Sequence, residues 1–96
     1  EEWLAYATSL SENGVFIRTL KNLLIGTRVN LKLDVPAPQP IQLFGDVIYN
    51  VPQKQGSFME QGIGVRFVGL DPKAKADLKT FIEGMLIAIV DEESPV

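Results

Sequence analysis

The chain predicts a mainly β fold, a small antiparallel barrel with an α-helix at its carboxy-terminal end. Three observations carry this. Residues 28 to 34 alternate strictly, with Val29, Leu31 and Leu33 on one face and Arg28, Asn30, Lys32 and Asp34 on the other. Short apolar runs are separated by Asn, Gly and Pro turn signals. After Asp71-Pro72, apolar residues recur at helical spacing. Such a pattern builds a closed or curled sheet whose open face or end is covered by one helix.

Taken in order, residues 3 to 8 read as a strand with both faces partly covered: Trp3, Ala5 and Ala7 on one, Leu4, Tyr6 and Thr8 on the other. Asn13-Gly14 predicts a turn, because both residues tolerate positive φ. Val15 to Thr19 resumes as a strand, and Gly26 marks the turn before the alternating strand 28–34. Pro36, Pro38 and Pro40 then end the ladder, since proline has no N–H to donate. Ile41 to Val51 reads as a longer strand, with Gly45 predicting a bulge or a close backbone approach. The stretch from Pro52 to Gly56 is polar and turn-like, and Phe58-Met59 is an apolar pair tucked under that loop or marking a contact site. Gly62 to Val68 is the last expected strand, with Ile63, Val65 and Phe67 on one face and Gly62 and Gly64 providing curvature.

Asp71 suits a helix N-cap and Pro72 the first helical position. The stripe Ala74, Leu78, Phe81, Ile82, Met85, Leu86 and Ile89 predicts one helix running on to the end of that set, with Lys73, Lys75, Asp77, Lys79 and Glu83 on its solvent side. The domain is expected over residues 1–90, with 91–96 an acidic frayed tail.

A chain of 96 residues is one domain by size and buries roughly 65% of its unfolded surface. The absence of Cys removes disulfides and thiolate metal sites and fits a reducing cytoplasm. A net charge of −3 argues against DNA or RNA as a partner, which needs an excess of Lys and Arg. No run approaches the ~20 apolar residues of a membrane span. Glu1-Glu2-Trp3 lacks a basic start followed by an apolar run, so no signal peptide is expected in these residues. Catalysis is not expected. The chain has no His, the side chain suited to proton transfer near neutral pH, and no Cys nucleophile. Ser9 and Ser11 have no base at a telling spacing, and the carboxylate pairs Glu1-Glu2 and Glu92-Glu93 sit at the ends, so no metal site is expected either.

Several motifs carry a more specific message. Ser11 and Gly14 lie in Ser9-Leu10-Ser11-Glu12-Asn13-Gly14. They are followed by Gly45-Asp46-Val47-Ile48-Tyr49 and by Gly62-Ile63-Gly64-Val65-Arg66-Phe67, then by the helix. In order and spacing, over residues 3 to 87, this resembles the PilZ domain family, whose signatures are Arg-x-x-x-Arg, Asp/Asn-x-Ser-x-x-Gly, Gly-x-Val-x-aromatic and Gly-x-Gly-Val-x-Phe. The resemblance implies a six-stranded β-barrel with a helix, no enzymatic activity, and cyclic di-GMP as the usual ligand. It makes Ser9, Ser11, Gly14 and Tyr49 the candidate ligand residues, with Tyr49 a platform for a purine base.

Two departures redirect the expectation. Ser9 stands where the family has Asp or Asn, and no Arg precedes Arg18. Arginine forks give paired, charge-assisted bonds to phosphate and guanine, each worth roughly 1.5–3 kcal/mol. Losing two weakens binding by about 10²–10⁴-fold. The favoured reading is a cytoplasmic regulatory module of the motility or type IV pilus kind that acts through a protein partner, as family members without the arginine motif do. The alternative is a working cyclic di-GMP receptor, its arginines lying upstream of Glu1 or replaced by Arg18, Arg28 or Arg66. Ser11 and Gly14 also have a plain structural reading as turn residues, Tyr49 as a half-buried strand aromatic, and Arg66 as a solvent-facing residue. The oligomeric state is not written in the sequence, although a free edge strand would support a dimer.

Overall fold

The computed structural model describes residues 2–34, 41–52, 61–80 and 86–92. The expectations for Pro36, Pro38, Pro40, Phe58-Met59, Phe81, Ile82 and Met85 lie outside them. The elements are β1 (Glu2–Thr8), β2 (Gly14–Arg18), β3 (Arg28–Asp34), β4 (Ile41–Val51), β5 (Gly62–Val68), α1 (Pro72–Thr80) and β6 (Leu86–Glu92). The strands close into an antiparallel barrel in the order β1-β2-β5-β4-β3-β6. Closure leaves none of these six strands with a free edge, so the expected edge-strand route to a dimer is gone.

The core follows from the two-residue period. Val29, Leu31 and Leu33 of β3 are fully buried, and Ile17, Ile63, Val65 and Val90 meet them from the other strands. Each such side chain contributes about 1.5–3 kcal/mol by leaving water. The helix covers one end of the barrel. Asp71 caps it as expected, with the Ala74 N–H donating to Asp71 Oδ1 at 2.7 Å, and Leu78 is driven fully into the core. At the other end the β2–β3 connection crosses the barrel mouth. Leu23 is buried there, and its N–H and C=O are both held by the Asn50 amide, at 3.2 and 2.7 Å.

Two expectations are corrected. The helix does not continue to Ile89: Leu86 to Glu92 is strand β6, which pairs with β1 on one side and β3 on the other. A short apolar run fits either period, and its Ile and Val favour a strand. The gap between β1 and β3 decides the matter, because β6 satisfies the backbone groups of both. Burial alternates accordingly, with Ala88 and Val90 inward and Ile87 outward. Asp91 and Glu92 therefore belong to the barrel and not to a tail; Glu92 Oε2 accepts from Trp3 Nε1 at 2.7 Å and from Lys21 Nζ at 3.2 Å. The second correction concerns β1. Ala7 is buried and Trp3 and Ala5 are partly so, but Leu4 and Tyr6 are 71% and 52% exposed. Only one face of this strand is covered within the chain.

Candidate functional site

The outer wall of β2, β5 and β4 is built around glycine. In register across these strands, Phe16 faces Gly64 and Gly64 faces Tyr49, while Gly14 faces Arg66 and Arg66 faces Asp46. The two aromatic rings lie down on this surface. A Cβ on Gly64 would collide with the Tyr49 ring, and one on Gly62 with the Phe16 ring and the Ile17 carbonyl. The rings are 6.5 Å apart, centroid to centroid, and inclined by 25°. Gly62 and Gly64 thus seat aromatic side chains, which is more specific than the curvature expected of them. A bulge between Val47 and Tyr49 turns the Tyr49 ring onto β5. Gly45 is not the bulge; it is the close approach, since a Cβ there would strike Val65 and lie 2.9 Å from the Arg66 carbonyl oxygen.

The β1–β2 connection forms the rim. Gly14 does not adopt positive φ; it begins β2, and it must be glycine because a Cβ would collide with the Val65 carbonyl oxygen. The left-handed residue is Ser9, at φ 51°. Ser11 organises the turn: its Oγ accepts from the N–H groups of Asn13 and Gly14 at 3.2 and 3.3 Å, and its own N–H donates to the Gly14 carbonyl at 2.9 Å. Asn13 then accepts from the Phe67 N–H at 2.9 Å, which fixes the rim to β5.

Rim, wall and helix enclose an open cavity of about 730 Å³. Of the residues singled out from sequence, Ser9, Ser11, Gly14, Tyr49 and Arg66 all line it. Arg18 and Arg28 do not. Arg18 sits at the far end of β2 opposite Gly62, and Arg28 is paired through Nε with Asp46 across the β3–β4 ladder. Sequence reasoning missed Lys75, which α1 brings to the cavity, and Phe16, which shares its wall with Tyr49. Lys75 was expected on the solvent side of the helix, and a helix period alone does not reveal what its exposed face overlooks. Electrostatically, Arg66 and Lys75 supply the positive charge among the described lining residues and Glu12 the negative charge. Such a set can hold an anion beside an exposed aromatic face.

Among the described residues, no helix is long and apolar enough to cross a membrane. The family model of the PilZ domain matches residues 1–84. No curated protein and no solved structure matches the chain. The first five strands of the barrel, the Ser11–Gly14 rim and the β4 and β5 glycine motifs occur together within that match, and the chain belongs to the PilZ domain family.

Proposed function

We propose that this domain is a non-enzymatic regulatory module of the cytoplasm that signals through protein contact, in motility or pilus control, and that it binds cyclic di-GMP weakly or not at all. The carrying observation is the cation count of the cavity. The family ligand is a doubly anionic cyclic dinucleotide, and among the described lining residues only Arg66 offers a guanidinium fork. Arg28, which the sequence offered as a replacement, is engaged with Asp46 instead. Ser11 is similarly engaged, its hydroxyl oxygen accepting from two N–H groups of its own turn. The absence of His and Cys from the chain supports the non-enzymatic part of the reading.

Isothermal titration with cyclic di-GMP at moderate salt tests it. Absence of binding heat at micromolar concentrations is the expected result, and a micromolar dissociation constant overturns it. One observation favours the receptor reading: Arg66 and Lys75 reach the same cavity as the family-motif residues Ser9, Ser11 and Tyr49. On that reading Arg66→Ala and Lys75→Ala each weaken binding by about tenfold or more, whereas Arg18→Ala and Arg28→Ala leave it unchanged.

A further inference from the structure

Charge along one outward row of the barrel does not balance. The pairing registers run Arg28, Asp46, Arg66 and Gly14 across β3, β4, β5 and β2. One carboxylate thus stands between two guanidinium groups. Arg28 takes both of its oxygens, Nε donating to Oδ1 and Nη2 to Oδ2. Gly14, on the other flank of Arg66, has no side chain to offer. Among the described residues no ion pair joins a carboxylate, Glu12 included, to Arg66 or to Lys75. Both cations nevertheless reach one cavity, Arg66 from β5 and Lys75 from α1.

The surface beside these cations is apolar and open. Ile48 and Tyr49 are exposed, Phe16 is partly so, and all three line the same cavity. A carboxylate complements a guanidinium through two parallel hydrogen bonds. An apolar side chain carried next to that carboxylate has the two rings and Ile48 to lie on. The volume of about 730 Å³ is of the size that encloses such a group. A free phosphate matches less well, because its second negative charge meets Glu12 on the rim and it leaves the rings uncovered. We propose that this cavity is where the domain grips its protein partner, and that it takes an acidic segment, an Asp or Glu next to an apolar residue. Arg66 is the fork for the carboxylate and Lys75 the second cation. The proposal rests on the reading of this domain as a protein-contact module, and it adds the site and the chemistry of the contact.

Heteronuclear NMR of the isotope-labelled full chain tests the proposal, since it registers weak binding residue by residue. The probe is a short blocked peptide with a Phe-Glu pair between neutral Gly and Ser flanks; the control carries Phe-Gln instead. The amide signals of Gly14, Gly64 and Arg66 are expected to move with the acidic peptide, at a dissociation constant about tenfold lower than for the control. Arg66→Gln is expected to weaken the acidic peptide about tenfold and Lys75→Gln about threefold, and both to leave the control peptide unchanged. Both side chains are exposed, and far-ultraviolet circular dichroism checks that the variants keep the barrel. Signals that stay still up to millimolar peptide, equal constants for the two peptides, or signals moved as far by inorganic phosphate overturn the proposal. Cyclic di-GMP titrated into a separate sample tests the functional reading alone. Micromolar saturation there overturns that reading, whereas silence there combined with no response to the acidic peptide overturns only the site.

Discussion

The barrel wall has two unlike sides. On β2 and β5 the outward positions hold Gly14, Gly62 and Gly64, and the surface is recessed, partly filled by the rings of Phe16 and of Tyr49 from β4 and edged by Arg66. On β1 and β6 the outward positions hold Leu4, Tyr6, Ile87 and Ile89, and the surface projects. Both sides use the same ladder and the same alternation. The difference lies only in the size of the outward side chains. Removing them makes a hollow whose floor is backbone, suited to a small ligand or a probing side chain. Leaving large aliphatic groups there makes a convex patch suited to another flat surface.

The largest expected effect separates glycines that are needed for space from those that are not. At Gly62, and at Gly14, an added methyl group meets a backbone carbonyl oxygen of the neighbouring strand, Ile17 in the first case and Val65 in the second. Backbone in a closed ladder cannot step aside without breaking pairs. Gly62→Ala and Gly14→Ala are each expected to destabilise the fold by about 3 kcal/mol or more, read as a fall in the urea midpoint. Midpoints unchanged by both substitutions would mean that the recessed side is not held as tightly as its geometry implies. Gly64→Ala is expected to cost less, about 1–2 kcal/mol, because the methyl group meets the ring of Tyr49, a side chain that is 46% exposed and free to swing outward. Adding Tyr49→Ala to Gly64→Ala should then recover part of that loss, a coupling a double-mutant cycle measures.

These glycines also show where sequence reasoning succeeds and where it stops. Strand β3 was legible because its alternation is complete and only one face is buried. The cap of α1 was legible because Asp71 and Pro72 act locally. Glycine is ambiguous: it serves positive φ, close approach and tight packing alike, and Gly14 was assigned to the first when the Val65 carbonyl demands the second. Strand β6 was hidden for a different reason. Its five apolar residues continue a helical stripe, and only the unpaired flanks of β1 and β3, a property of the whole barrel, make it a strand. In the cavity, the residues carried by the family motif were found, whereas Lys75 was not, since nothing near it in the chain indicates that α1 overlooks β5.

Ser9 sharpens the recessed side further. It holds φ 51°, a region that costs an ordinary side chain roughly 1–2 kcal/mol and that Asn tolerates better. An Asp or Asn, as PilZ domains usually carry here, would suit this backbone conformation apart from any ligand contact. Ser9→Asn is expected to stabilise the fold by about 0.5–1 kcal/mol, seen as a thermal midpoint a few degrees higher. A lower midpoint would show that the serine hydroxyl itself supports the rim.

The smallest expected effect belongs to the projecting side. Leu4 is largely exposed, so replacing it with Ser removes little buried apolar surface and vacates no cavity within one chain. Leu4→Ser is expected to change unfolding stability by no more than about 0.5 kcal/mol. Small β-rich domains generally place polar or charged groups at such outward positions, as β3 does here with Arg28, Lys32 and Asp34. If Leu4→Ser instead cost the monomer 2 kcal/mol or so, the residue would be packing intramolecularly, and the contrast between the two sides would collapse into a difference in core packing alone.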